Sequence, residues 1–284
     1  MNTLETTLAQ LELSGIPSEL SSKWKSLFIE LQQYQSAAIA FSGGVDSSFL
    51  AYMAFLALGE HMVAITIQSA LEPTGQVDLA ANFAKTMGFK QVIIPYEQLQ
   101  NPLFRTNPVE RCYHCKTAIL HTIWDYARNN NLQVVLEGQN ADDQADYRPG
   151  RKAVQETGTF SPLANNGFTK AEIRWISKVL GLPIWDQPSS PCLASRFPYG
   201  VRITEQGLEQ IARAEAFLHV QGFKSVRVRY HNDLARIEVM PDQLQKLLEL
   251  RDEVVKHFKQ IGFLYVSMDL QGYRQGSLNE GLNL

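Results

Sequence analysis

The stretch AAIAFSGGVDSS, residues 37–48, decides the fold of this 284-residue chain. Its first five residues are apolar and predict a strand, and a helical pattern from about Ser47 to Leu58 follows the glycines. In such a strand–loop–helix unit, the glycines let the backbone approach a ligand without a Cβ in the way. The free N–H groups and the positive dipole end of the helix then face the loop. The stretch therefore predicts a phosphate-binding site.

The loop itself, SGGVDSS at residues 42–48, differs from two common phosphate-binding motifs. It lacks the lysine of GxxxxGK[ST] and does not follow G-x-G-x-x-G. It resembles the SGGxDS loop of the ATP pyrophosphatase (PP-loop) superfamily, which holds the β,γ-pyrophosphate of ATP while an adenylate forms at the α-phosphate. The resemblance implies that Asp46 orients the loop or helps to hold Mg²⁺, whereas the alternative is a plain glycine turn capped by Asp46. The implied pyrophosphate site consists of Ser42, Gly43, Gly44, Val45, Asp46, Ser47 and Ser48.

Strands and helices continue to alternate up to about residue 180. This order predicts an α/β domain with a parallel sheet covered on both faces, which we place at residues 1–200. Thr169 is expected to cap a helix that ends before Gly181. The predicted elements are the strands Met62–Ile67, Gln91–Pro95 and Gln133–Glu137 and the helices Gln76–Met87, Lys116–Asn129 and Lys170–Leu180.

A different order of elements follows residue 200. A helix, a hairpin of two alternating strands, a second helix and a last strand predict a small α+β domain of ferredoxin-like type at residues 201–284. On the first hairpin strand, Arg227 and Arg229 share one face. The predicted elements are the helices Thr204–Val220 and Pro241–Phe258 and the strands Ser225–Tyr230, Leu234–Val239 and Phe263–Met268.

The composition excludes several classes of protein. The formal net charge is −3 and the pI is about 6.1, without basic runs, which disfavours a long nucleic acid as the main partner. No stretch reaches the length of a membrane helix, and the first residues lack the pattern of a signal peptide. We therefore expect a cytoplasmic protein with no membrane partner, whose three cysteines are not a disulfide set.

The segment EGQNADD at residues 137–143 follows the last predicted strand of the sheet. Ligands of open α/β sheets bind at this edge. Gly138 permits close approach to a nucleotide, and Asp142 and Asp143 are candidate Mg²⁺ ligands. Arg148 and Arg151, a little further on, suit phosphate or carboxylate groups. The alternative is a solvated polar loop.

All three cysteines fall within motifs. Cys112 and Cys115 form a CxxC at a helix start, and Cys192 lies in PCLASR. Three thiolates suit a [4Fe–4S] cluster that leaves one iron open. Zinc with His114 as fourth ligand, a redox-active CxxC and separate thiols are the alternatives, and Cys192 alone could be a sulfur donor that loses its own Sγ.

With these motifs together, the chain resembles the LarE family of sulfur transferases over about residues 20–280. The resemblance implies ATP-dependent adenylylation of a carboxylate of a pyridinium biscarboxylate mononucleotide, a small-molecule substrate, followed by displacement of AMP by sulfur. The product belongs to the synthesis of the nickel-pincer cofactor of lactate racemase. Further marks of the family are RCYHCK, EGQNADD with DYRPGR, SPLANNGFTKAEIR, PCLASRFPYG, VRVRYH and DLQGYRQGSLN.

The resemblance also implies roles for single residues. The two cysteines of the CxxC and Cys192 indicate the branch in which three thiolates hold the cluster, so that all three are catalytic candidates. It further implies a homo-oligomer, while the sequence does not identify the source of sulfide. The implied substrate or phosphate site consists of Ser195, Arg196, Glu215, Arg227, Arg229 and Asp269.

Three other functions remain open at this stage. A PP-loop tRNA thiolase shares the ATP chemistry, and the acidic pI counts against it. An ATP-dependent amide synthetase would leave the cysteines without use. A non-catalytic nucleotide or redox sensor would release no pyrophosphate with any substrate.

Overall fold

Strands and helices alternate along the first half of the chain, as the apolar runs predict. A computed structural model describes residues 7, 11–73, 75–144 (backbone only at 144), 150–188, 191–274 and 276–280. The helices are α1 (Ser18–Gln32), α2 (Val45–Leu58), α3 (Gln76–Met87), α4 (Pro102–Arg105), α5 (Arg111–Asn129), α6 (Gly150–Thr157), α7 (Pro162–Asn165), α8 (Lys170–Val179), α9 (Glu205–Val220), α10 (Leu244–Glu249) and α11 (Arg251–Gln260). The strands are β1 (Ala37–Ala40), β2 (Met62–Gln68), β3 (Gln91–Pro95), β4 (Val134–Leu136), β5 (Val226–His231), β6 (Leu234–Val239) and β7 (Tyr265–Met268).

The described residues pack into two units. The first is drawn from Met1–Gln68, Gly75–Tyr96 and Cys112–Ser189, and the second from Ser69–Thr74, Glu97–Arg111 and Ser190–Leu284. The second unit is therefore discontinuous in sequence. The domain boundary expected at residue 200 falls inside it and, as a statement about domains, stays a prediction.

The sheet of the first unit is parallel, with the order β3-β2-β1-β4. Ala37 pairs with Met62 of β2 on one side and with Val134 of β4 on the other. The chain thus leaves β1 towards β2 and later reaches β4 on the opposite side. In sheets of this order the carboxyl end of the central strand is where ligands bind. The predicted α/β class is confirmed.

Both faces of this sheet are covered, because successive side chains of a strand point to opposite sides. Ala37 and Ile39 face a core that contains Trp24 of α1 and Phe49 of α2. Ala38 faces a second core that contains α5 residues. Helices α1 and α2 on one face and α5 on the other thereby cover the sheet that carries the phosphate loop.

The second unit contains a three-stranded sheet of order β5-β6-β7. Strands β5 and β6 are antiparallel, and β6 and β7 are parallel. The predicted order of helix, hairpin, helix and strand is present, and the ferredoxin-like label stays a prediction. The single helix expected at Pro241–Phe258 is wrong: α10 ends at Glu249 and α11 begins at Arg251. Asp252 and Glu253 favour this new helix start, because carboxylates stabilise the first turn of a helix.

No helix among the described residues is both long enough and apolar enough to cross a membrane.

Candidate active site

The phosphate loop begins where β1 ends and runs directly into α2. The hydroxyl oxygens of Ser42 and Ser47 are 3.0 Å apart, and Ser47 Oγ also donates to the carbonyl of Gly44 at 3.2 Å. Gly43 has a φ of 75°, and a Cβ there would lie 2.8 Å from Cβ of Ala80, so that a side chain does not fit. The side chains therefore close the loop on itself, which leaves the first-turn N–H groups of α2 to bind an anion.

Two polar atoms of the first turn of α2 are buried without a hydrogen-bond partner. They are Oδ1 of Asp46 and Oγ of Ser48, and Ser48 is fully buried. The other carboxylate oxygen of Asp46, Oδ2, accepts a hydrogen bond from Nζ of Lys170 at 2.8 Å. An unsatisfied buried polar group costs about 1–3 kcal/mol. A ligand that forms hydrogen bonds with these two atoms would remove this penalty.

Gly138 follows β4 and approaches the start of α2. A Cβ at this position would lie 2.9 Å from the backbone nitrogen of Ser47. The glycine is thus required by close backbone packing, a reason that differs from the nucleotide contact inferred from the sequence. Its role in ATP binding stays a prediction.

The two carboxylates proposed as Mg²⁺ ligands bind backbone N–H groups. Oδ2 of Asp142 accepts from the N–H of Lys170 at 2.8 Å, and Oδ2 of Asp143 accepts from the N–H of Asn140 at 3.2 Å. In the described part of the chain, no three His, Cys, Asp or Glu side chains are grouped as ligands of one metal ion. The Mg²⁺ role of the two aspartates stays a prediction.

Of the two arginines expected near this edge, one is described. Arg151 is the second residue of α6 and its side chain is exposed. Arg148 lies outside the described residues. Neither assignment to phosphate is tested, and both stay predictions.

An ion pair fixes the cysteine-bearing helix α5 to the end of β4. Lys116, which directly follows Cys115, donates through Nζ to Oε2 of Glu137 at 2.8 Å. Glu137 is 5% exposed and also accepts hydrogen bonds from Oγ of Ser161 and, at 3.2 Å, from the N–H of Gln139. The charged pair therefore ties the CxxC helix to the sheet edge that carries the phosphate loop.

Cys112 and Cys115 are the second and fifth residues of α5, and residues three apart share one face of a helix. Cys112 is exposed and Cys115 is partly buried, and in the second unit Cys192 is exposed. Accessible thiols are suitable metal ligands. The ligands of a four-iron cluster bind different irons and need not converge on one point. Cys112 and Cys115 therefore suit metal ligation in their chemistry and spacing, and the cluster that would also include Cys192 stays a prediction.

The Cys192 loop, residues 191–201, is held by a buried arginine of its own. Nη1 of Arg196 donates to the carbonyl of Pro191 at 2.8 Å, to that of Cys192 at 3.2 Å and to Oγ of Ser195 at 2.9 Å. The rest of the guanidinium forms a two-bond pair with Glu215, at 2.8 and 2.7 Å. Arg196 and Glu215 are 1% and 5% exposed. Arg196 thus shapes the loop around Cys192.

A second buried arginine reaches the same loop from β5. Nη1 of Arg229 donates to the carbonyl of Ser195 at 2.9 Å, while Nε and Nη2 pair with Glu238 at 2.9 and 2.8 Å. Nη2 also donates to Oγ of Ser277 at 2.6 Å. Glu238 is fully buried. Arg229 therefore already has protein partners on each of its three nitrogens.

Arg227 shares the face of β5 with Arg229, as the alternation predicts. Burial, followed by the charge of nearby Arg196, lowers the pKa of the Arg227 guanidinium below its ordinary value. The guanidinium lies over the ring of Tyr273, with the centroid 5.2 Å away. A half-buried guanidinium close to a second arginine is suited to bind an anion, because an anionic ligand interacts favourably with both positive charges.

Asp269 belongs to a neighbouring ion-pair group. Its carboxylate lies 3.1 Å from Nη1 of Arg236 and 3.5 Å from Nη1 of Arg274. Arg236 in turn pairs with Glu238 at 3.1 Å. The structure thus brings the predicted residues of the Cys192 loop and β5 together, with Asp269 linked to them through Arg236 and Glu238. Their roles towards a substrate stay predictions.

Sequence reasoning missed several polar partners. The sequence places Lys170 and Lys116 in helices without indicating that each neutralises a carboxylate of the site, and it shows Arg111 only as part of a motif. Lys170 directly follows Thr169, the predicted N-cap. This position is the one local signal that the lysine lies at a helix start near the sheet edge. The other contacts join residues far apart in sequence and leave no local pattern.

Comparison with known proteins gives several matches. Residues 22–117 match the NAD synthase family model. The chain is 42% identical to an uncharacterized protein of Synechocystis over 93% of this chain and 99% of that protein. It is 35% identical to the pyridinium-3,5-bisthiocarboxylic acid mononucleotide synthase of Lactiplantibacillus plantarum, over 93% and 96% of the two chains. An uncharacterized protein of Methanocaldococcus jannaschii is 31% identical over 89% and 96%.

Proposed function

The chain belongs to the LarE family of ATP-dependent enzymes, and we propose that it makes a thiocarboxylate from a carboxylate of a pyridinium mononucleotide. The sulfur transfer serves the synthesis of a pyridinium bisthiocarboxylate cofactor. The observation that carries the proposal is the pairing of two features: a PP-loop with unpartnered polar atoms, and an exposed cysteine on a loop held by buried arginines.

The first step is activation of the substrate carboxylate. A carboxylate oxygen attacks the α-phosphorus of ATP, the bond to the β-phosphate oxygen breaks, and pyrophosphate leaves while an acyl adenylate forms. The N–H groups of the loop at residues 42–48 and Lys170 are suited to the charge on the departing pyrophosphate, because fixed donors need no reorganisation. Mg²⁺ would add to this stabilisation. Activation replaces hydroxide, a poor leaving group, with AMP.

The second step replaces AMP with sulfur. Sulfide attacks the activated carboxyl carbon, the carbon–oxygen bond to AMP breaks, and the proton of the attacking hydrosulfide passes to solvent. We assign Cys112, Cys115 and Cys192 as the thiolates that hold a [4Fe–4S] cluster, which when bound supplies sulfide at its open iron. Arg196 and Arg229 shape the loop on which Cys192 stands, which favours delivery at a fixed distance.

Arg227 is our first candidate for the substrate phosphate. Its guanidinium is half-buried. Burial and the positive charges of Arg196 and Arg229 lower its pKa. We assign Ser195 and Arg229 to the same site. Arg196, Glu215 and Asp269 then act through the ion pairs that hold its loop and strands in place. This division of roles refines the sequence-based set, in which all were treated as substrate ligands.

The test uses protein purified and reduced without oxygen. Incubation with ATP, Mg²⁺ and pyridinium biscarboxylate mononucleotide is expected to give AMP, pyrophosphate and a product whose mass shows exchange of oxygen for sulfur. No pyrophosphate with this substrate would overturn the proposal. Ammonia-dependent amide formation in the same assay would favour the amide synthetase instead.

Metal analysis of the same preparation tests the sulfur source. We expect about four irons and at least four acid-labile sulfides per chain, as a [4Fe–4S] cluster requires, and their loss in Cys112→Ala. Zinc in place of iron would make the cysteines structural. If metal is absent and the protein loses the mass of hydrogen sulfide during turnover, Cys192 is the donor: its thioester with the substrate eliminates across Cα–Cβ and leaves dehydroalanine.

A further inference from the structure

Asn107 is a fully buried polar residue that binds several backbone groups of the Cys192 loop. Its Nδ2 donates to the carbonyl of Pro198 at 2.7 Å and to that of Val201 at 3.0 Å. Its own carbonyl accepts from the N–H of Gly200 at 2.9 Å. Asn107 has a φ of 55°, in the left-handed region that asparagine tolerates better than most residues. The residue is therefore fitted to this position by both its backbone and its side chain.

Arg111 completes the contact from the other side. It is 2% exposed, and its Nη1 donates both to Oδ1 of Asn107 and, at 3.0 Å, to the carbonyl of Ala194. Its guanidinium lies over the ring of Tyr199, 5.7 Å from the centroid. Arg111 directly precedes Cys112 in the chain. One buried side chain thus links the residue before the CxxC to the loop that carries Cys192.

We propose that Asn107 and Arg111 are positioning residues for sulfur transfer, because together they fix the Cys192 loop to the segment that opens the CxxC helix. This inference rests on the proposed function and goes beyond it, since neither residue belongs to the predicted sites. We call the two residues the 107–111 clamp.

The chemistry of the clamp favours a positioning role over a purely stabilising one. A buried charged residue is a weak source of stability compared with apolar packing, so its advantage lies in defined geometry. Cys192 is exposed on a loop, and loops are mobile unless their backbone groups are bound. A reacting group displaced by about 1 Å can cost on the order of 100-fold in rate. The clamp binds the loop on both sides of Ser195 and Arg196.

The test compares three variants of the full chain. Arg111→Met removes the charged donor at similar length. Asn107→Asp keeps the acceptor for Arg111 and the tolerance for a left-handed backbone but removes the donor to the two carbonyls. Arg128→Met is the matched control, because Arg128 lies on the same helix and its side chain is 66% exposed.

Two measurements are made on each variant. Hydrogen exchange of the amides at residues 193–201 is expected to rise about tenfold in the first two variants, as loss of a charged hydrogen bond implies, and to stay unchanged in the control. Thiocarboxylate formed per pyrophosphate released is expected to fall at least about fivefold in both, as a displaced reacting group implies. Pyrophosphate release itself should stay within about twofold, because the phosphate loop is untouched.

The outcomes separate the two hypotheses. Equal exchange in Arg111→Met and Arg128→Met overturns the clamp, and faster exchange with an unchanged product ratio overturns its positioning role. If Arg111→Met does not fold, Asn107→Asp decides on the same criteria. If the wild-type protein releases no pyrophosphate, the proposed function fails, and the clamp is then judged by loop exchange together with the alkylation rate of Cys192, which must differ between the variants and the control.

Discussion

The phosphate loop and the Cys192 loop differ in whether their polar groups already have partners within the protein. At the phosphate loop, Oδ1 of Asp46 and Oγ of Ser48 are buried without partners. At the Cys192 loop, the guanidiniums of Arg196 and Arg229 are bound by carboxylates and by loop carbonyls. The first region is incomplete without a ligand, whereas the second is complete before any ligand arrives.

We infer from this difference that the phosphate loop contributes mainly to ligand affinity and that the ion pairs at the Cys192 loop contribute mainly to fixed geometry. Unsatisfied buried groups destabilise the ligand-free protein. When a ligand binds and supplies their hydrogen-bond partners, this penalty disappears, and its removal contributes to the binding free energy. Satisfied ion pairs gain little from a ligand and instead fix the shape of their surroundings. Mutations of the buried ion pairs behind the Cys192 loop should therefore affect mainly stability, and mutations at the phosphate loop should affect mainly ATP use.

The largest effect is expected from Glu215→Gln. Removal of one partner of a buried ion pair leaves the Arg196 charge uncompensated, which should lower the free energy of unfolding by about 3–5 kcal/mol. Chemical denaturation measures this loss. Glu280→Gln is the matched control, because solvent screens its exposed pair with Arg274 and the loss should be much smaller. Equal losses in the two variants would contradict the comparison.

Asp46→Asn should act on chemistry and spare the fold. We expect pyrophosphate release to fall by about 100–1,000-fold, because a charged group of the site is neutralised. Stability should change by less than about 1 kcal/mol, since the pair with Lys170 is partly exposed. A steady-state pyrophosphate assay and a thermal melt give the two numbers. A stability loss as large as that of Glu215→Gln would remove the distinction between the regions.

Gly138→Ala tests the close packing behind the phosphate loop. The added Cβ would meet the backbone of Ser47 at 2.9 Å, so that we expect a loss of about 1–3 kcal/mol from overpacking and weaker ATP binding. Calorimetric unfolding and titration with a non-hydrolysable ATP analogue measure both. Gly44→Ala is the control for stability, because its Cβ would make only an ordinary contact with Oγ of Ser42 at 3.5 Å.

Ser48→Ala should change the stability less than Gly138→Ala does. Removal of a buried hydroxyl without a partner is expected to leave stability unchanged or to raise it by up to about 1 kcal/mol, while KM for ATP rises. Ser47→Ala, whose hydroxyl is bonded within the loop, should instead lose stability. Thermal melts of the two variants in the absence of ATP decide; a destabilised Ser48→Ala would show that its hydroxyl has a partner.

The smallest effect concerns pH. Burial, with the charges of Arg236 and Arg229, lowers the pKa of His231 below its ordinary value of 6.5. The unfolded chain then binds more protons than the folded one, so that stability falls as the pH drops below about 6.5. His231→Asn should reduce this fall slightly. Thermal midpoints at pH 7.5 and 5.5, on the order of one pH unit either side of that value, measure it; an unchanged slope would exclude His231 as a contributor.

The sequence predicted what depends on local pattern. The strand–loop–helix unit at residues 37–58 follows from a continuous apolar run, the glycines and a helical pattern, and Thr169 is the N-cap of α8, with Glu172 completing a capping box. The pairings that define the site were out of reach, because Lys170 and Asp46 are 124 residues apart and Arg229 meets Glu238 only through the register of a hairpin. Arg196 is an example of the limit: the sequence analysis assigns Arg196 and Glu215 to one site, but it does not predict that the two form an ion pair.

The discontinuity of the second unit has a consequence for synthesis on the ribosome. Leu71 and Phe104, 2% and 1% exposed in the finished protein, belong to segments whose partners begin at residue 190. At about 5–20 residues per second, the segment that ends at Arg111 waits roughly 4–16 s for them. During that time its apolar side chains lack those partners. Nascent chains should therefore be most open to aggregation in this interval, and a slower translation of residues 112–190 would prolong it.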